Sequence, residues 1–291
     1  MQKGSGVSKI VSQIFDPIRD LENDDLGRVA FARRLLTRLS EWNCSPTIGL
    51  YGGWGVGKTS ILHLVEYLND ISLDPDIKKP DITYLDAWRY EITGDLTVPI
   101  LIQLRKLANN RDDPDYSTRW KRVVGVVAQA GTDILLRKLL DLELGDVREY
   151  AQYMQEASKG GKTPQTLKNL VNEVELAQTD FEYLVNEVWE AKQHRRIVFL
   201  IDNLDRCSPE NVVRLLESTK NFLDAEHFTW VFAMDSGVIA SYIHKKYEDT
   251  RMDGNSYLDK IVPEQYHIPP VISSDMPKLQ RVLARALPET H

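Results

Sequence analysis

Gly52 is followed, after four intervening residues, by Gly57-Lys58-Thr59. The segment Gly52-Gly53-Trp54-Gly55-Val56-Gly57-Lys58-Thr59-Ser60 leaves a short apolar run, Thr47 to Tyr51, and enters an apolar-periodic stretch, Ile61 to Leu68. This fits G-x-x-x-x-G-K-[ST] in the strand-to-helix setting that a phosphate-binding loop needs. Glycines let backbone N–H groups converge on phosphate oxygens, and the helix start turns its positive dipole end toward the same anion. Lys58 is expected to point at the ligand rather than the core and reach the β- and γ-phosphates, with the Thr59 hydroxyl on Mg²⁺. The loop predicts a bound nucleoside triphosphate, taken here as ATP with Mg²⁺.

A second stretch, Arg196 to Cys207, carries an unbroken apolar run, Ile197 to Ile201, closed by Asp202-Asn203-Leu204-Asp205-Arg206. Such a run suits a central parallel strand covered on both faces. Asp202 at its end is expected to hold Mg²⁺ through water, opposite Thr59. A third run, Phe228 to Met234, ends in Asp235, which is either a sensor of the γ-phosphate or a cap for the helix predicted from Ser236 to Tyr247. Asp81 to Trp88 reads as a further strand leading into Arg89-Tyr90-Glu91. Asp86 and Glu91 are either partners of Arg89, or Glu91 orients the attacking water.

The elements that must position these groups follow from periodicity. Phe15 to Trp42 reads as a turn and then a long amphipathic helix, with Asp24-Asp25-Leu26-Gly27-Arg28 as the candidate base-binding element, Asp25 and Arg28 in particular. From Asp95 to Gln193 the chain reads as helical. Val123 to Leu136 is apolar for about 14 residues, short of the roughly 18–20 that cross a bilayer, and it contains Asp133. Ser158-Lys159-Gly160-Gly161-Lys162-Thr163 lacks the first glycine of a phosphate loop and any preceding strand, so it reads as a linker. Leu167 to Val188 continues as one long amphipathic helix, and Ser208-Pro209 opens another.

Composition narrows the function class. The 291 residues carry 36 Lys+Arg against 43 Asp+Glu, a net charge of −7, so no global basic field serves nucleic acid. The local clusters Arg119-Lys121-Arg122, His194-Arg195-Arg196 and His244-Lys245-Lys246 read as solvated faces. Cys44 and Cys207 lack CxxC spacing, which argues against a disulfide framework or zinc site and for a reducing, cytoplasmic setting. Residues 1–12 have no apolar core and do not form a signal peptide.

The phosphate loop together with Asp86-Ala87-Trp88-Arg89-Tyr90-Glu91, Ile201-Asp202-Asn203-Leu204-Asp205-Arg206-Cys207 and Tyr257-Leu258-Asp259-Lys260-Ile261-Val262 resembles the KAP family of P-loop NTPases. The resemblance runs from Asp16 to about Pro270, apart from the helical stretch. It implies an ATPase with an additional strand between its two nucleotide motifs, near the STAND-like signalling NTPases. Many bacterial members are linked to phage exclusion, an animal member is a membrane signalling scaffold, and members often carry transmembrane helices between the motifs. The family pattern has a second aspartate where this chain has Asn203. An amide cannot take a proton from water, though it can orient one. Hydrolysis must then lean on Asp205, Glu91 or both, while Arg206 either neutralises phosphate charge or pairs with Asp205.

These readings predict an α/β fold, a mostly parallel P-loop sheet with helices on both faces. Residues 14–94 and 194–270 form the two halves of the nucleotide domain, 95–193 a helical insertion, and 271–291 the start of a lid with Arg281 and Arg285 on one helix face. The expected activity is that of a nucleotide-dependent conformational or assembly switch, with slow hydrolysis, in anti-phage defence or signalling. The alternative is a scaffold that binds nucleotide without hydrolysing it. A protein partner, or self-association through the insertion, is expected; a membrane span is not.

Overall fold

The computed structural model describes residues 27–72, 79–94, 96–109, 112–132, 164–221, 223–248 and 253–269. Asp24, Asp25 and Leu26, the apolar run beyond Thr132, the 158–163 linker and the 271–291 tail with Arg281 and Arg285 lie outside the described residues.

Five strands form one sheet: β1 (Thr47–Tyr51), β2 (Asp81–Asp86), β3 (Ile197–Asp202), β4 (Phe228–Met234) and β5 (Glu264–His267). Their order is β2-β3-β4-β1-β5, and every neighbouring pair is parallel. β4 therefore separates the strand that feeds the phosphate loop from the strand that ends in Asp202, as the resemblance implied. β1, β3 and β4 are buried at every position, because a parallel strand covered on both faces must be apolar on both sides of the pleat.

The period-2 alternation sorts these strands into two cores. Ile48, Leu50, Val198, Leu200, Val231 and Ala233 meet helices α1 (Arg28–Ser40) and α2 (Lys58–Ile71). The opposite face carries Phe199, Ile201, Phe228, Trp230 and Phe232. It is covered by α3 (Thr97–Leu107), α4 (Pro114–Thr132), α5 (Pro164–Ala191), α6 (Pro209–Asn221), α7 (Ser236–Lys246) and α8 (Gly254–Ile261). This second core is aromatic. Phe228 lies 5.2 Å from Phe199 and 4.8 Å from Trp230 between ring centroids, and Phe181 of α5 meets Phe228 edge-on at 5.8 Å. Trp230 Nε1 donates to the Leu223 carbonyl at 3.0 Å, so its one polar atom is satisfied. α5, the last helix before β3, thus packs into the same core as the sheet.

Two details depart from the sequence reading. Arg119 and Arg122 do not form a purely solvated face: both guanidinium groups bind Asp180, which is buried on α5 and needs a counter-charge there. The edge strand β5 was not expected, since Glu-Gln-Tyr-His offers no apolar run. It is held by its register with Ile48–Tyr51 and by Arg38 of α1, which donates to both oxygens of Glu264 at 2.8 and 2.9 Å. Among the described residues no helix is long and apolar enough to cross a membrane.

Candidate phosphate-binding site

The loop between β1 and α2 is built around left-handed backbone. Gly55 has φ 77° and Gly57 φ 95°, values that side-chain-bearing residues adopt only at a steric cost. Gly57 stands immediately before α2. No side chain caps that helix start, and its first turn contains no acidic residue. The first N–H groups of a helix have no intrahelical acceptor, and here neither the N-cap residue, Gly57, nor an acid in the first turn supplies one. That arrangement suits an anion.

Lys58 is turned inward. It is 9% exposed, and its Nζ donates to the carbonyls of Gly52 (2.8 Å) and Gly53 (3.2 Å) and to Asp205 Oδ2 (3.0 Å). The expectation that Lys58 points only at ligand is corrected by this internal ion pair, whose side chains are 10% and 8% exposed. Next to it, Thr59 Oγ1 donates to Asp202 Oδ2 at 2.6 Å. The same oxygen accepts the Tyr84 hydroxyl at 3.0 Å, and Asp202 Oδ1 accepts the Asn203 N–H at 2.8 Å. Burial, and then the Asp202 charge, push the Tyr84 hydroxyl well above the ordinary phenol range. A hydroxyl and a carboxylate held together at the end of adjoining elements are the hard oxygen donors that Mg²⁺ takes.

Asn203 ends β3 with φ 60°, a conformation in which Asn and Asp are enriched. Its Nδ2 crosses to β2 and donates to Asp86 Oδ1 at 3.0 Å. Asp86 Oδ2 meets Arg89 Nε at 3.4 Å, so Arg89 pairs with Asp86. Arg206 pairs with neither Asp205 nor another described carboxylate. Its guanidinium lies over Trp54 of the loop, 4.6 Å from the ring centroid, and 5.6 Å from Trp88. Both rings are exposed, at 74% and 55%.

Two of the sequence candidates serve helix starts. Glu91 Oε1 accepts the Ser208 N–H at 3.0 Å and Asn211 Nδ2 at 3.1 Å, closing the first turn of α6. Burial raises the Glu91 carboxyl, but hydrogen bonds from Ser208, Asn211 and Cys207 outweigh it and hold the group below the ordinary carboxylate range. Cys207 itself is buried beside Glu91, and burial pushes its thiol up to about 12. Asp235 Oδ1 accepts from Gly237 N (3.0 Å) and Val238 N (3.4 Å) and so caps α7. Its other oxygen lies 3.8 Å from where a Cβ on Gly53 would stand, beside the phosphate loop. Arg28 is buried at the start of α1 and donates to the Pro269 carbonyl at 3.1 Å, tying α1 to the chain leaving β5.

Gly52, Gly53, Lys58, Thr59, Asp202, Asn203 and Asp205 therefore come together, with Arg206 at the loop's outer side through Trp54. Val56 also belongs to the loop, and its side chain packs over Gly52, where any Cβ would meet Val56 Cγ2 at 2.5 Å. Ser60 continues the first turn of α2. Tyr84 and the Asp86–Asn203 pair were missed in the sequence. The signal was present in part, since alternation along β2 puts Tyr84 and Asp86 on one side of the strand. What it lacked was the register Asp86↔Asp202.

The model of the KAP family P-loop domain matches residues 28–290. The chain is also similar to the phage T7 exclusion protein of Escherichia coli strain K12, with 22% identity over 296 residues. That match covers 93% of this chain but 36% of the relative, so the chain spans about a third of that protein's length. With the loop after β1, the Asp202 strand displaced from it by β4, and the match extending over the whole described sheet, the chain belongs to the KAP family of P-loop NTPases.

Proposed function

We propose that the chain binds ATP with Mg²⁺ and uses binding and slow hydrolysis as a conformational or assembly switch. The observation that carries this reading is the α2 start, with a glycine at its N-cap and no acid in its first turn, and Lys58 and the Thr59–Asp202 pair beside it. Backbone N–H groups from Gly53 to Ser60 would hold the phosphates, Lys58 would leave the loop carbonyls for the β- and γ-phosphates, and Thr59 and Asp202 would hold the cation. Bound Mg²⁺ would supply charge neutralisation on the phosphates. Arg28, with Asp25, is proposed for the base side of the site, while Asp235, beside Gly53, is read as the cap of α7.

A switch needs an element whose arrangement depends on loop occupancy. The Trp54–Arg206–Trp88 stack meets that requirement, since it joins the loop, the turn after β3 and the turn after β2 at an exposed surface. A cation stacked on exposed tryptophan is worth about 0.5–1 kcal/mol, little enough for ligand binding to rearrange. The phage exclusion relative supports a role in bacterial anti-phage defence, while the cytoplasmic setting and a protein partner, or self-association through residues 95–193, are proposed from the sequence. The second reading, a scaffold that binds without hydrolysing, is favoured by the amide at Asn203. Calorimetric titration with ATP and Mg²⁺, followed by phosphate release, tests both. Binding with turnover supports the switch, binding without turnover the scaffold, and no binding defeats both.

A further inference from the structure

We infer that Asp86, at the end of β2, supplies the carboxylate that orients the attacking water and accepts its proton when ATP is hydrolysed, with Asn203 as its positioning residue. The inference rests on the nucleotide-binding reading above.

Four other carboxylates face this edge of the sheet, and the geometry commits each of them elsewhere. Both oxygens of Asp202 are taken, one by Thr59 and Tyr84 and the other by the Asn203 N–H. Asp205 is the buried counter-ion of Lys58. Glu91 closes the start of α6, and Asp235 caps α7. Asp86 differs. One oxygen is fixed by the Asn203 amide at 3.0 Å, and the other, among the described residues, meets only Arg89, at 3.4 Å, whose side chain is 80% exposed. An ion pair with so exposed a partner is weak, and the Asp86 side chain, 19% exposed, is itself open to water.

The pairing explains the residue at position 203. Its left-handed backbone favours Asn or Asp, and of the two only an amide can donate to the carboxylate opposite. A second carboxylate there would face Asp86 with like charge. Asp86 is also the register partner of Asp202, which places it one strand over from the carboxylate assigned to the cation. In the proposed step the water oxygen forms a bond to the γ-phosphorus. The bond from that phosphorus to the bridging oxygen breaks, and its electron pair leaves with ADP. One water proton passes to Asp86 and then to solvent, and the other stays on the released phosphate.

Four proteins test this: wild type, Asp86→Asn, Asn203→Asp, and the reciprocal swap carrying both changes. Binding of a fluorescent ATP analogue, steady-state phosphate release and the melting temperature of the nucleotide-free protein are measured on each. Asp86→Asn is expected to lower kcat about 100-fold, the usual worth of a positioned base, with KM and Kd within about threefold. Asn203→Asp alone is expected to lower both the melting temperature and kcat. The swap keeps one amide and one carboxylate in contact, and is expected to recover the melting temperature and bring kcat to within about tenfold of wild type. A purely structural contact would leave kcat of a well-folded Asp86→Asn within about twofold, and that result overturns the proposal. So does a swap that folds and binds but stays as slow as Asp86→Asn, or a wild type that binds ATP and releases no phosphate. Failure of the wild type to bind the analogue instead sinks the nucleotide reading itself.

Discussion

Three helices begin at the same edge of the sheet, and they are finished in two ways. α6 and α7, after β3 and β4, each receive a carboxylate from the chain: Glu91 on Ser208 N and Asn211, Asp235 on Gly237 N and Val238 N. α2, after β1, receives none, and its first residue is a lysine. The dipole is the same in each case, and a helix start not met by a side chain must be met by water or ligand. The chain thus supplies a carboxylate to two positive ends, the closed ones, and places a lysine at the third, the open one. Lys58 adds charge to that end, and Asp205 balances the charge.

Removing Lys58 attacks the open end and has the largest expected effect. Lys58→Ala should weaken ATP binding at least about tenfold through loss of a charge-assisted contact. It should also destabilise the protein, by about 2 kcal/mol, because Asp205 is left buried without its partner. Pairing Lys58→Met with Asp205→Leu removes both charges and separates the two losses, with stability returning and ATP affinity staying low. Thermal melts and calorimetry on the single and double variants measure this. A double variant that binds ATP like wild type would remove Lys58 from the site.

A smaller effect is expected at a closed end. Glu91→Ala takes the acceptor from the start of α6 and should cost about 1 kcal/mol of stability, the usual worth of a cap, with ATP affinity within about twofold. The folded protein holds the Glu91 carboxyl below its ordinary range. Its contribution is therefore full above the unfolded carboxyl's value, near pH 4, and is lost as pH falls through the lower folded value. The stability gap between wild type and Glu91→Ala should thus be constant from neutral pH down to about 5 and close only in more acid solution. A gap that widens on acidification would contradict this assignment.

The open end was legible in the sequence because it is local. Gly57, Lys58 and Thr59 are adjacent, the strand before them is apolar and the helix after them is periodic. The strands β3 and β4 were legible for the same reason, as apolar runs closed by Asp202 and Asp235. The closed ends were not. Glu91 reaches Ser208 across 117 positions, as Asn203 reaches Asp86, and nothing in either segment marks the other. β5 was invisible because its four residues are polar and its place depends on β1 and Arg38. Lys58 was half read: its type and spacing indicated a ligand contact, but not that its ammonium is also held by the Gly52 and Gly53 carbonyls and Asp205.

Asp235 carries the finest test of the comparison, because it lies at a closed end beside the open one. Its Oδ1 caps α7, while Oδ2 approaches Gly53. Asn caps a helix about as well as Asp, so Asp235→Asn should keep the α7 start within about 0.5 kcal/mol of wild type. It removes the negative charge from the oxygen nearest the loop. If that oxygen only fills space, ATP and ADP affinities should both stay within about twofold of wild type. If it reads the γ-phosphate through water or the cation, ATP affinity should change while ADP affinity does not, since the two ligands differ only in that group. The cap geometry is complete without the second oxygen, so the expected result is an unchanged ATP-to-ADP ratio. A shift of more than about fivefold, close to 1 kcal/mol, would make Asp235 part of the open end as well as the closed one.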